Sequence, residues 1–283
     1  MKSLTDVYEL HNGVGIPCVG FGTWQTPNGE TAVSAVKAAL SLGYRHIDTA
    51  AAYENEESVG IAIKQSGVAR KDIFLTSKLQ NTAHGYEEAQ AAFERTLKNL
   101  DTDYLDLYLI HWPNPIKYRT RWQEANAGTW KAFEEFHRAG RIRAIGVSNF
   151  FPRHIDELMK TATVAPAVNQ IFLCPGEPQA EVSDYCRKNN ILLEAYSPLG
   201  TGKIFEVSEM KALAEKYGKP IAQICIRWSL QMGFLPLPKS VTTSRIKENT
   251  GVFDFELSVE DVKLIAGLKG CCGYARNPDA MTF

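Results

Sequence analysis

Tyr104-Leu105-Asp106-Leu107-Tyr108-Leu109-Ile110, running into His111, is apolar at nearly every position and carries a single acid. A strand with one wet face alternates apolar and polar residues, whereas a near-continuous apolar run is buried on both faces. Such strands belong to a parallel sheet covered by helices. Asp106 has the opposite parity to His111, so it is expected to face the helices as a structural carboxylate.

Working outward, similar runs recur at Cys18–Phe21, Arg45–Asp48, Ile73–Lys78, Ile142–Ser148, Ala167–Phe172, Leu192–Tyr196 and Phe234–Leu237. Between them lie amphipathic stretches at Thr31–Leu42, Glu56–Gln65, Tyr86–Leu100, Thr129–Arg138, Pro152–Lys160, Pro178–Lys188 and Ile221–Gln231, with an extra helix at Ser208–Tyr217. Gly43, Gly67 and Gly140 each follow the last periodic residue, where a left-handed helix stop wants glycine. Eight strands alternating with helices, without a compositional break, predict one (β/α)8 TIM barrel over residues 1–283. Val7–Leu10 and Val14–Ile16 flank His11-Asn12-Gly13 and read as a β-hairpin capping one end. The rival doubly wound sheet needs GxGxxG after its first strand. It fails here: after Gly13 and Gly15 the third position is Cys18, and after Gly20 and Gly22 it is Gln25.

Composition narrows the function. Thirty-one basic against 32 acidic residues leave a formal charge of −1, so neither nucleic acid nor a membrane surface is an expected partner. The first residues, Met1-Lys2-Ser3-Leu4-Thr5-Asp6, lead into no apolar stretch, and a cytoplasmic protein without a signal peptide is expected. The six cysteines are scattered and read as reduced thiols; adjacent Cys271 and Cys272 would bridge only with strain. No His/Cys spacing fits zinc, so no metal is expected.

The informative pattern is at the strand ends. Asp48, Lys78, His111, Ser148 and Asn149, Gln170, Tyr196 and Lys239 each stand at or just beyond the carboxyl end of a predicted strand. In a closed barrel those ends meet at one mouth, where barrel enzymes carry their chemistry. Tyr53 follows Asp48 by five residues. A phenol near pKa 10 is a weak acid at neutral pH, and a nearby ammonium lowers that value. Lys78 can supply the charge, Asp48 can keep it protonated, and His111 can orient a substrate oxygen. Together they make an acid suited to protonating a carbonyl oxygen.

These residues sit in segments that resemble the aldo-keto reductase family. They include Gly22-Thr23-Trp24, Tyr44 to Ala50 with Tyr53, Leu107 to Pro113, Ile145 to Phe150, Val168-Asn169-Gln170, Tyr196 to Gly200, Pro238-Lys239-Ser240 and Arg245 to Asn249. The short-looped members, such as 2,5-diketogluconate reductases and protozoan prostaglandin F synthases, are the nearest in pattern. The resemblance implies an NADPH-dependent carbonyl reductase, monomeric, with Asp48, Tyr53, Lys78 and His111 as its catalytic tetrad. It further implies that Ser148, Asn149 and Gln170 hold the nicotinamide carboxamide and Tyr196 stacks on the ring. Ser197 and Leu199 would line the pyrophosphate path, with Thr23 and Trp24 at the pocket edge. Lys239, Ser240, Val241, Thr242 and Arg245 would bind the 2′-phosphate, and Glu248 and Asn249 the adenine. Trp24, Tyr53, His111 and Trp112 would meet a small-molecule carbonyl substrate.

Some residues depart from the pattern. Phe172-Leu173 lead to Cys174-Pro175 where the family often has His-Pro, only Gly200–Glu206 follow the seventh strand, and the tail after Leu268 keeps little of the usual sequence. His46 reads as structural, Asn55 as an N-cap with Glu56 and Glu57 in the first turn, and Lys117, Arg119 and Arg121 as a solvated loop. Two other functions fit parts of the pattern. A Schiff-base lyase could use Lys78 as its amine but leaves Tyr53 and the Lys239/Arg245 pair unexplained. An NADPH-binding sensor or partner subunit is the alternative reading, and the intact tetrad argues against it.

Overall fold

The computed structural model describes residues Met1 to Phe283. A two-stranded antiparallel hairpin, β1 (Val7–Glu9) and β2 (Gly15–Pro17), precedes the main sheet, with Gly13 at φ 80° in its turn. Eight parallel strands follow: β3 (Phe21–Gly22), β4 (His46–Asp48), β5 (Phe74–Leu79), β6 (Leu105–Ile110), β7 (Ile142–Ser148), β8 (Val168–Phe172), β9 (Leu192–Tyr196) and β10 (Leu235–Leu237). They are ordered sequentially from β3 to β10. Two backbone bonds, Gly20 N to Pro236 O at 3.0 Å and Gly22 N to Pro238 O at 3.1 Å, join the last strand to the first. The sheet is therefore a (β/α)8 TIM barrel.

The helices are α1 (Glu30–Ser41), α2 (Glu56–Gln65), α3 (Tyr86–Leu100), α4 (Trp122–Arg138), α5 (Pro152–Met159), α6 (Ala180–Lys188), α7 (Ser208–Tyr217), α8 (Ile221–Gln231), α9 (Thr243–Glu248) and α10 (Val259–Ala266). Gly43, Gly67 and Gly140 take φ of 98°, 74° and 73°, as the expected helix stops require. The sequence reading starts α4 at Thr129, after Gly128, yet the helix begins seven residues earlier at Trp122. Gly128 is inside it because a Cβ there would lie 3.1 Å from the backbone nitrogen of Tyr86. The glycine permits close packing and does not end the helix.

Strand parity sorts the core. On β6, Leu107 and Leu109 point into the barrel with Phe74, Ala144, Val168, Leu235 and Leu237. Tyr108 and Ile110 pack outward under the helices. Leu10 and Ile16 of the hairpin region join the interior cluster, so the hairpin caps the amino-terminal end. Asp106 faces outward as expected: its carboxylate receives Arg70 at 2.8 Å, Arg143 at 2.7 Å and the Leu75 amide at 2.9 Å.

Candidate active site

At the carboxyl end of the barrel, β4 delivers Asp48, β5 delivers Lys78, and the 3-10 turn after β4 delivers Tyr53. Lys78 is completely buried. Its Nζ donates to both oxygens of Asp48 at 2.7 and 2.8 Å, to Thr49 O at 2.9 Å and to the Tyr53 hydroxyl at 3.2 Å. Burial alone would lower the lysine pKa, but the Asp48 carboxylate and then Tyr53 outweigh it and the value rises. That direction favours the ammonium form of Lys78.

His111, at the end of β6, sets its ring against Tyr53 edge-to-face with centroids 5.8 Å apart. Burial, followed by the nearby Lys78 charge, pulls its pKa down to about 3, so the imidazole is neutral. The Tyr53 phenol moves the other way from the sequence expectation. Burial raises its pKa, and although Lys78 opposes this, the net direction is upward. Since Lys78 donates to the Tyr53 oxygen, the phenol keeps its own proton available for a third party.

The next layer is a polar row across β7, β8 and β9, where Ser148 pairs with Gln170 and Gln170 with Glu194 in the parallel register. Ser148 Oγ donates to Gln170 O at 2.8 Å. Asn149, at φ 62°, donates to His111 O and to Ser148 Oγ, both at 3.0 Å, and accepts from the Tyr196 hydroxyl at 2.9 Å. Gln170 Nε2 crosses the barrel to Asp48 Oδ2 at 2.9 Å, which ties this row to the Lys78 cluster. Tyr196 is half-buried against Phe172 in a small cleft also lined by Asn149 and Arg276.

The other expected residues are placed more loosely. Thr23 is buried, its hydroxyl donating to Asp48 O at 3.0 Å, so it supports the strand end, whereas Trp24 is exposed. Trp112 is buried beneath the C-terminal Phe283, ring centroids 5.5 Å apart. Ser197 has φ 50°, and it and Leu199 are half-buried. Lys239 is half-buried and reaches Gln25 O at 3.1 Å. Val241, Thr242, Arg245 and Glu248 are exposed around α9, Ser240 is half-buried, and Asn249 is buried.

Asn55 occupies the N-cap position of α2, but its side chain does not cap the helix. It accepts from Thr49 Oγ1 at 2.9 Å and donates to Thr23 O and Thr26 O, stitching the loops around Asp48. Glu56 beside it is buried and accepts from Ser77 and Asn99. Lys117 and Arg119 are engaged as well, on Thr82 O and Met281 O, so this segment holds the tail. Asp279 in the tail receives Arg153 and also Asn114 at 3.0 Å. Glu194 escaped the sequence reading. Like Asp106 it is a lone acid in an apolar strand, and it shares parity with Tyr196, which is the signal that would have placed it inside.

Residues 18–269 match the aldo/keto reductase family. Glyoxal reductase of Bacillus subtilis is 48% identical over 281 residues, 99% of each chain. The chain belongs to the aldo/keto reductase family. It is thus an oxidoreductase acting on carbonyl groups. Among solved aldo/keto reductases, one from Brucella melitensis is 47% identical with a TM-score of 0.86, covering 92% of this chain and 98% of that one. A variant of Gox0644 in complex with NADPH is 37% identical with a TM-score of 0.89, covering 98% of both.

Proposed function

We propose that this aldo/keto reductase reduces aldehydes and ketones with NADPH, reversibly, and that Tyr53 gives the carbonyl oxygen its proton. The observation that carries the reading is Lys78 Nζ, buried between the Asp48 carboxylate and the Tyr53 hydroxyl at the barrel mouth. An acid serving an incipient alkoxide must arrive protonated, and the raised Tyr53 pKa supports that. Once the proton leaves, the phenolate faces the Lys78 ammonium, which stabilises it. Asp48 keeps that ammonium charged and aimed. Neutral His111 orients the carbonyl oxygen by donating a hydrogen bond, a task an imidazole fulfils without competing as an acid. In the reverse direction Tyr53 is the base.

NADPH, when bound, supplies the hydride. The polar atoms present suit such a cofactor. Gln170 Oε1 receives no bond from the chain, Tyr196 offers a ring face in a cleft, and Lys239 and Arg245 offer cations beside Ser240 and Thr242 for a phosphate. The NADPH bound by the Gox0644 variant supports the choice of dinucleotide. We assign Ser148, Asn149 and Gln170 to the carboxamide, Tyr196 to the ring, Ser197 and Leu199 to the pyrophosphate, and Thr23 to support of Asp48. Lys239, Ser240, Val241, Thr242 and Arg245 are assigned to the 2′-phosphate, Glu248 and Asn249 to the adenine, and Trp24 and Trp112 to the substrate walls. No helix is long and apolar enough to cross a membrane, and the reading is of a one-domain, monomeric, cytoplasmic enzyme.

The test is NADPH consumption at 340 nm with glyoxal, methylglyoxal, aromatic aldehydes, keto-sugars and quinones, repeated with NADH. Turnover of several carbonyls with NADPH, and weaker turnover with NADH, is expected. Tight NADPH binding without turnover of any of them would overturn the reading in favour of a sensor or partner subunit.

A further inference from the structure

Gln170 is gripped by two carboxyl groups at once. Its Nε2 donates to Asp48 Oδ2 at 2.9 Å and to Glu194 Oε2 at 2.7 Å. An amide nitrogen has two hydrogens, so both are spent. The side chain is 1% exposed, and no group of the chain bonds its Oε1. Turned over, the amide would point its carbonyl oxygen at the Asp48 carboxylate, which has no hydrogen to give, and lose that bond.

Asp48 is already engaged with Lys78, but Glu194 has no comparable task. It is fully buried in the middle of β9, and its Oε1 has no hydrogen-bond partner. His46 Nε2 stands 3.7 Å away, but burial pulls the His46 pKa down to about 3, so the ring is neutral, and it is itself bonded to Thr76. Burial, with Asp48 close by, pushes the Glu194 carboxyl up to about 8. A carboxyl in that position is costly to keep, and its one well-made bond is to Gln170.

We propose that Glu194 is a positioning residue for the cofactor. By holding the second hydrogen of the Gln170 amide, it fixes Gln170 Oε1 as the acceptor presented to the carboxamide NH2 of the nicotinamide. Asp48 alone leaves the amide one bond and freedom to swing. With Glu194 in place, the carboxamide end of the site is an acceptor before any ligand arrives, and the ordering cost on binding is reduced. This inference rests on the NADPH reading given above.

Two ligands distinguish positioning from mere structural support: NADP+ and its 3-acetylpyridine analogue, in which a methyl group replaces the carboxamide NH2. Their dissociation constants are measured by calorimetry for the wild type, Glu194→Leu and Glu194→Gln. Glu194→Leu should weaken NADP+ about tenfold and the analogue less than twofold, because the analogue offers no hydrogen to Gln170 Oε1. Glu194→Gln keeps an acceptor oxygen for Gln170 and should bind NADP+ within about twofold of the wild type. Should Glu194→Leu not fold, Glu194→Met, unbranched and close in length, carries the same comparison. Equal weakening of both ligands, or of neither, would overturn the role of Glu194. A wild-type protein that binds neither ligand would instead overturn the cofactor reading itself.

Discussion

Lys78 spends its three hydrogens on Asp48, Thr49 O and the Tyr53 hydroxyl while completely buried. A buried charge is tolerated only with its partner present, and removal of one member of such a pair costs about 3–5 kcal/mol. Asp48→Ala is therefore expected to lower the free energy of urea unfolding by about that amount, and a loss below about 1 kcal/mol would contradict the assigned pairing. The individual chemistry was legible at this scale because strand-end polar residues share one mouth. The direction of the Tyr53 pKa was not. Sequence reading supplies the ammonium that lowers it but not the burial that outweighs the ammonium. Asn55 shows a similar limit, since an N-cap side chain can be captured by tertiary partners that no local pattern announces.

Among the elements, the parallel register does most to build the site. It sets Ser148, Gln170 and Glu194 side by side, and the barrel's curvature brings Gln170 across to Asp48. Strand identities were readable from apolar runs, whereas the start of α4 was obscured by Gly128, whose reason is contact with the segment at Tyr86. Glu194 went unread because an acid inside an apolar strand has no visible partner until the sheet closes. The segment around α9 carries Lys239 and Arg245, assigned to the 2′-phosphate. Arg245→Ala is expected to raise the NADPH dissociation constant about tenfold at low salt and leave that of NADH within about twofold, since a charge-assisted contact is lost only with the phosphate. Equal losses for both cofactors, measured by fluorescence titration, would remove Arg245 from that role.

For the whole molecule, barrel closure places several histidines where water cannot reach. His46, His84 and His111 are pulled down to about 3, 4 and 3, in each case chiefly by burial. A depressed imidazole favours the folded state above the unfolded value near 6.5, and that contribution is lost as pH falls, because the unfolded chain takes up protons the folded one refuses. Glu194, raised to about 8, has the opposite sign and offsets part of this between pH 8 and 4.5. The cleanest comparison is therefore a difference. Between pH 6 and 5 the wild type should lose about 1.2 kcal/mol more unfolding free energy than His84→Asn. Parallel pH profiles for the two proteins would show that His84 is protonated alike in both states.

The central claim is that Tyr53 donates the proton, and Tyr53→Phe tests it most directly when followed by single-turnover NADPH oxidation with a good aldehyde. Because the variant loses one hydroxyl and keeps the ring against His111, NADPH affinity should stay within about threefold while the rate falls by about 10² or more. A variant that reduces the aldehyde at nearly the wild-type rate, with NADPH bound as before, would contradict the assignment.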